Sequence, residues 1–89
     1  MLKVDIAKQV AKFIRGLGTK QQRQIATKIA DLRNNPEPHD SIKLKGYNYR
    51  RTDVGEYRII YFVRDGVVLV IVLAGKRNDD EVYRALKRK

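Results

Sequence analysis

Tyr57-Arg58-Ile59-Ile60-Tyr61-Phe62-Val63-Arg64-Asp65-Gly66-Val67-Val68-Leu69-Val70-Ile71-Val72-Leu73-Ala74 is the stretch that decides the fold. Two runs of β-branched and aromatic residues flank Asp65-Gly66, a dipeptide that supplies the positive φ angles of a type I′ turn. The stretch therefore reads as a hairpin. With Asp65-Gly66 as a two-residue loop, Arg64 pairs with Val67, Phe62 with Leu69, Ile60 with Ile71 and Arg58 with Leu73. The returning run is apolar on both faces, which marks a central strand covered from both sides.

Upstream, Asp53-Val54-Gly55-Glu56 is a second turn. A two-residue loop at Val54-Gly55 and a four-residue loop give one register, with Thr52 opposite Tyr57 and Arg51 opposite Arg58. Valine disfavours positive φ, which favours the longer loop. The sheet region begins earlier, over Ser41 to Gly46, where Ile42 and Leu44 alternate; Gly46 and Tyr47-Asn48 read as a turn. Downstream, strand parity carries Gly75 and Arg77 to the face of Arg58 and leaves Lys76 on the other. Three neighbouring strands thus present Arg51, Arg58 and Arg77 together near one end of the sheet. Like charges across a strand pair repel, so the cluster points to a bound anion. The alternative is that Asp53, Glu56 and Asp80 neutralise these arginines in ordinary ion pairs.

At the N-terminal side, Leu2 to Ile6 alternates as a half-buried strand does. From Ala7, apolar residues recur at helical spacing as Val10, Phe13, Ile14 and Leu17, up to Gly16–Gly18. Thr19 is an N-cap candidate with Gln22 as its capping-box partner. Ile25, Ile29 and Leu32 form the stripe of a second helix, beside which Ala26 and Ala30 allow close packing. Asn34-Asn35-Pro36-Glu37-Pro38 ends it. The two helices form an antiparallel hairpin with Lys8, Lys12, Arg15, Lys20, Arg23 and Lys28 mostly outward. After Arg77, Asn78 and Glu81 form a capping-box pattern, acidic residues 79–81 suit a helix start, Val82, Ala85 and Leu86 face inward, and Lys87-Arg88-Lys89 suits a helix end.

The 89 residues are expected to form a single domain, 1–89. A chain of this size buries roughly 60–65% of its unfolded surface. No cysteine is present, which excludes disulfides and thiolate metal sites. His39, the one histidine, lies in a proline-flanked loop and reads as a surface residue. Without a histidine cluster or a triad there is no metal site to propose, and no cofactor is expected. No stretch reaches the length of a membrane span and no signal-peptide core opens the chain, so a cytoplasmic protein is expected. The formal net charge of +10 calls for a polyanionic partner.

Leu44-Lys45-Gly46, Gly55-Glu56-Tyr57-Arg58-Ile59-Ile60-Tyr61, Gly75-Lys76-Arg77 and Glu81-Val82-Tyr83 together resemble the RelE/ParE superfamily of type II toxins, over nearly the whole chain. The resemblance implies an α+β fold of order β-α-α-β-β-β-α: an N-terminal strand and a two-helix antiparallel hairpin packed on a twisted antiparallel sheet, with a short C-terminal helix. RelE-like members cut mRNA in the ribosomal decoding site without a metal. They use 2′-OH attack that leaves a 2′,3′-cyclic phosphate and a 5′-OH, and so inhibit translation. In that branch Arg58 matches an arginine on the scissile phosphate. Arg77 matches one assigned to leaving-group protonation or phosphate stabilisation, and Tyr83 matches a tyrosine that stacks on or orients the attacked nucleotide. ParE-like members, which poison DNA gyrase, generally lack this set; a gyrase poison or a non-catalytic nucleic-acid-binding homologue is the alternative. The chain departs from the RelE pattern in the strand before Gly55. Two basic residues are usual there, one of them a proposed general base. Arg51 takes the first place and Asp53 (or Thr52, with a gap) the second, so Asp53 becomes the candidate base. Lys45, Arg50 and Lys76 are candidate RNA contacts. The implied partners are an acidic antitoxin, the ribosome with its 16S rRNA and mRNA, and operator DNA only through the antitoxin.

Overall fold

The computed structural model describes residues 1–79 and 81–87. In chain order these form β1 (Lys3–Ile6), α1 (Lys8–Arg15), α2 (Thr19–Asn34), β2 (Ser41–Lys43), β3 (Arg50–Val54), β4 (Tyr57–Arg64), β5 (Val68–Lys76), a 3-10 turn at Arg77–Asp79 and α3 (Glu81–Lys87). The strands make one sheet in the order β1-β5-β4-β3-β2; β5, expected to be central from its two apolar faces, is an interior strand beside the edge strand β1, and β4 takes the centre. Neighbours from β5 to β2 are antiparallel, as expected. The edge strand β1 instead runs parallel to β5, and Ser41–Lys43 is a short strand of its own, so four strands follow the helices. Expectations resting on Asp80, on the side chains of Asp79 and Glu81, and on Arg88-Lys89 fall outside what is described; Asn78 sits inside the 3-10 turn. Among the described residues, no helix is long and apolar enough to cross a membrane.

The helical stripes fall where their spacing places them. Val10 of α1 and Ile25, Ile29 and Leu32 of α2 are buried against Ile59, Tyr61, Leu69 and Ile71 of the sheet. Ala26 and Ala30, by contrast, are exposed. The capping box expected at Thr19 does not form. Gly18 is the N-cap, and Gln22 Nε2 donates backwards to the carbonyls of Leu17 at 3.0 Å and Arg15 at 3.3 Å. The reason is the short Leu17-Gly18 link, which leaves the last carbonyls of α1 beside the first turn of α2. At its other end α2 is fastened to the sheet, since the fully buried Tyr61 donates its hydroxyl to the carbonyl of Pro36 at 2.7 Å. The second face of the sheet holds a smaller core, where Val82 and Leu86 of α3 cover Ile60, Val72 and Leu73.

Register differs from expectation at both hairpins, and the differences matter for the site. Asp65 and Gly66 take φ of 55° and 71°, and Val67 N–H donates to the Arg64 carbonyl, so the Asp-Gly turn is present. Arg64 nevertheless pairs with Val68, leaving Val67 as an extra residue. A second slip follows where Tyr61 pairs with Ile71 but Ile60 pairs with Leu73, so Val72 bulges from β5. Ile71 belongs to the core under the helix hairpin, Val72 and Leu73 both belong to the core under α3, and Ala74 returns to the first. Two consecutive residues on one face is what a bulge produces. The carbonyl of Val72 receives a hydrogen bond from Gln9 Nε2 of α1 at 3.3 Å. Two one-residue slips cancel in parity, so Arg58 lies across from Gly75 and still shares its face. At the preceding hairpin, Gly55 takes φ of 58° at the first of two loop positions, as a type II′ turn requires, and Val54 pairs with Tyr57.

Two substitutions test the packing with opposite signs. Leu69→Ala, in the larger core, is expected to lower unfolding free energy by about 2–5 kcal/mol in urea titrations. Thr52 is 1% exposed and its hydroxyl has no partner among the described residues. Thr52→Val removes that unpaired group at similar volume and is expected to stabilise by about 1 kcal/mol.

Candidate functional site

On the α3 face of the sheet, Asp53 and not Arg51 lies directly across from Arg58; Arg51 pairs with Ile60 one step along. The carboxylate grips the guanidinium with both oxygens, Nε to Oδ1 at 2.8 Å and Nη2 to Oδ2 at 3.2 Å. Arg77 arrives from the end of β5, its Nη1 3.7 Å from the same Oδ2. Its backbone N–H donates to the Glu56 carbonyl at 3.1 Å, which ties the start of the 3-10 turn to the β3–β4 hairpin. Burial of Val82 and Leu86 seats α3 on the sheet and brings Tyr83, next to Val82, over the two arginines. The Tyr83 hydroxyl accepts hydrogen bonds from Arg58 Nη1 at 3.2 Å and from Arg51 Nη1. The guanidinium carbons of Arg58 and Arg51 stand 5.4 and 6.0 Å from the ring centroid, within cation–π range.

Five of the residues singled out in the sequence, Arg51, Asp53, Arg58, Arg77 and Tyr83, are therefore one cluster. The other three are elsewhere. Arg50 points to the helix-hairpin face, opposite Tyr61, where its Nε and Nη2 donate to Ser41 Oγ at 3.1 and 2.9 Å and Nη1 is 3.7 Å from Glu37. Lys76 is exposed at the end of β5, opposite Tyr57 and so on the helix-hairpin face. Lys45 is exposed in the turn after β2. The expected face-to-face arginine pair is replaced by a cation facing an anion, because the tight Gly55-Glu56 loop shifts the register by two residues and conserves parity. Among the described residues, three guanidinium groups surround one carboxylate.

Residues 4–80 match the family model described as the ParE toxin of type II toxin–antitoxin systems. The chain belongs to that family, within the RelE/ParE superfamily. Its fold is that of solved RelE toxins. The RelE chain of the Pyrococcus horikoshii OT3 RelE–RelB complex is 31% identical, with 85% of this chain and 94% of that one covered at a TM-score of 0.76. The isolated Escherichia coli RelE toxin is 28% identical over 99% of this chain and 98% of that one, at 0.77. A double mutant of the Escherichia coli toxin in the free state gives 28%, 98%, 96% and 0.79. No curated protein sequence matches the chain. Within this ParE-family toxin, the matched span takes in Arg51, Asp53, Arg58 and Arg77 and stops short of Tyr83.

Electrostatics of the toxin's cluster follow from its geometry. The Arg58 hydrogen bonds, reinforced by the charges of Arg58, Arg51 and Arg77, hold the Asp53 carboxyl below the usual aspartate range despite partial burial. The same bond to Asp53 raises Arg58 above its already high value. Arg58 is the more enclosed partner, its side chain 14% exposed against 38% for Asp53 and 46% for Arg77.

A carboxyl whose folded pKa is depressed stabilises the fold above its unfolded pKa, and that contribution is lost as pH falls through the folded value. Asp53→Asn is thus expected to unfold at lower urea than the unsubstituted toxin at pH 7. The gap is expected to narrow as pH drops below about 4, near the unfolded aspartate value.

Proposed function

We propose that this toxin is a metal-independent endoribonuclease that cuts mRNA on the ribosome. The observation that carries the reading is the convergence of Arg51, Arg58 and Arg77 with the Tyr83 ring around one anion position. In the implied reaction the ribose 2′-oxygen attacks the adjacent phosphorus and the bond to the 5′-oxygen breaks. The 2′-hydroxyl proton leaves, and a proton is delivered to the departing 5′-oxygen. The products are a 2′,3′-cyclic phosphate and a 5′-OH. The pentacoordinate transition state carries extra negative charge on its equatorial oxygens, and guanidinium forks match that geometry with paired donors. Arg58 and Arg77 take this role, with Arg51 beside them. Arginine holds its proton too tightly to be a general acid or base. Tyr83 orients the attacked nucleotide by stacking.

Asp53 reads differently from the expectation of a general base. Both its oxygens are engaged by arginines and its pKa is held down, so it is a weak base in this arrangement. Its role in the proposal is a counter-ion that aligns Arg58 and Arg77. Lys45 and Lys76 remain candidate contacts to ribosomal RNA phosphates, while Arg50 is engaged with Ser41. An acidic antitoxin is the expected protein partner, supported by the +10 charge and by the RelB-bound Pyrococcus relative. Operator DNA is reached only through that antitoxin, and the site of action is cytoplasmic. The ParE family model favours a second reading, poisoning of DNA gyrase.

Induction without antitoxin, followed by mapping of mRNA 5′ ends, decides between them. In-frame cuts bearing 5′-OH ends are expected, with Arg58→Ala and Arg77→Ala each lowering cleavage about 10²–10³-fold. Arrest with intact mRNA and broken DNA would instead establish the gyrase reading. Asp53→Asn is expected to keep cleavage within about tenfold of the unsubstituted toxin, whereas loss of a true general base lowers the rate by about 10²–10⁴.

A further inference from the structure

We propose that the cleft at the start of β3, on the helix-hairpin face, is an anchor site for an acidic protein segment. The segment seats one bulky apolar side chain there and sets its carboxylates against Lys43 and Arg50. The proposal rests on the reading of an acidic protein partner, to which it adds where that partner is held, and is independent of the ribonuclease reading. The cleft measures about 400 Å³. It forms because β3 begins at Arg50, across from Tyr61, while β4 runs on to Arg64 and α2 has already ended at Asn34. Leu2, Pro36 and Val63 give it an apolar floor, and the bond from the Tyr61 hydroxyl to the Pro36 carbonyl holds one wall in place.

Charge at the rim is unbalanced. Lys43 and Arg50 are partners across β2 and β3, and like charges so placed repel. The acid beside them is Glu37, its side chain 74% exposed and 3.7 Å from Arg50 Nη1, beyond hydrogen-bonding distance. Lys43 has no ion pair among the described residues. An incoming carboxylate therefore meets an ammonium and a guanidinium edge next to apolar surface. An apolar floor inside a polar rim is the anatomy of a protein-binding hot spot. The volume lies near the low end of ligand clefts, roughly 300–1,000 Å³, and suits one side chain with its neighbours. A nucleobase finds no free ring to stack on. Tyr61 is fully buried, and the rings of Tyr49 and Phe62 are taken up by each other, by Tyr47 and by the core beneath α3. The arginine cluster lies on the opposite face of the sheet, which separates the cleft from any strand held there. A second copy of the chain is disfavoured by the +10 charge that each copy carries. The same charge attracts an acidic segment, and the cleft supplies its apolar anchor point.

The test is fluorescence anisotropy of the full chain at low salt with labelled acidic peptides. Each peptide is glutamate throughout except at its central position, which is phenylalanine, leucine or alanine. Attraction to the net charge is common to all three, so dependence on the central residue reports the cleft. The phenylalanine and leucine peptides are expected to bind about tenfold tighter than the alanine peptide. Asn48→Trp, at an exposed position on the cleft, is expected to fill it and abolish that ratio. Arg58→Ala, on the other face, is expected to preserve it. Lys43→Glu is expected to weaken the phenylalanine peptide about fivefold more than Lys20→Glu, the same charge change on exposed α2 surface. Urea midpoints confirm that each variant folds. A ratio that survives Asn48→Trp, or one lost in Arg58→Ala, overturns the site, as do equal losses in the two lysine variants. An uncleavable 2′-deoxy-substituted RNA that Asn48→Trp weakens as much as the phenylalanine peptide also overturns it, assigning the cleft to nucleic acid. The two readings fail separately. Binding that ignores the central residue removes the cleft alone, whereas no binding by any peptide removes the acidic partner as well.

Discussion

The extra residue at Val72 is the constraint on which the remainder of the site depends. It moves Leu73 and Gly75 from the helix-hairpin face of β5 to the α3 face and brings Arg77 after them. Without it, Lys76 would take that place and Arg77 would join the side of Tyr57. A bulge leaves backbone groups outside the regular ladder, and an unpaired buried carbonyl is costly. Gln9 meets that need from the first turn of α1. The helix hairpin on one face thereby helps maintain the register that assembles a cluster on the other.

The second requirement is charge. Guanidinium groups of β3, β4 and the end of β5 are brought close on one sheet face, an arrangement that repels in isolation. Asp53 makes it tolerable by standing opposite Arg58 and within reach of Arg77. Tyr83 adds an acceptor oxygen and an aromatic face, both favourable to cations. Its position depends on α3, which stays on the sheet through Val82 and Leu86. Secondary structure, core and cluster are thus linked. Two apolar side chains seat a short helix, and that helix carries the ring that completes the arginine site.

Much of this was legible in the residues, and what was not has a common cause. Helical stripes, the Asp-Gly turn and the strand covered on both faces report on side-chain chemistry, and they fell where that chemistry places them, although β4 and not β5 is the middle strand. Pairing register depends on backbone counting. Neither the unpaired Val67 nor the bulged Val72 has a residue type that announces it, since valine is at home in any strand. The shared face of Arg58 and Arg77 was inferred correctly only because two slips cancelled. At β3 the same kind of shift turned an expected Arg51–Arg58 opposition into the Asp53–Arg58 pair. Gly55 is the one signal that could have found it, since a glycine ahead of Glu56 suits the first position of a type II′ loop. Arg50, named as a candidate RNA contact, stands apart from the cluster for another reason. Its neighbour in sequence belongs to the cluster, but adjacent strand residues face opposite ways.

The carboxylate among the arginines bears on how the site tells ligands apart. Under the proposed function, a phosphate arriving there would not meet bare cations; it would compete with the tethered Asp53 carboxylate, which stays nearby and offsets part of the attraction. The net gain is then the difference between two anions bound by the same donors, which is smaller than the gain from neutralising an empty cationic pocket. A solitary inorganic anion brings nothing beyond that difference. A polymer also brings bases, sugars and further phosphates to the surfaces around the cluster. Under the proposed function, discrimination would pass from the charged centre to its surroundings, and the site would favour a chain over a free ion.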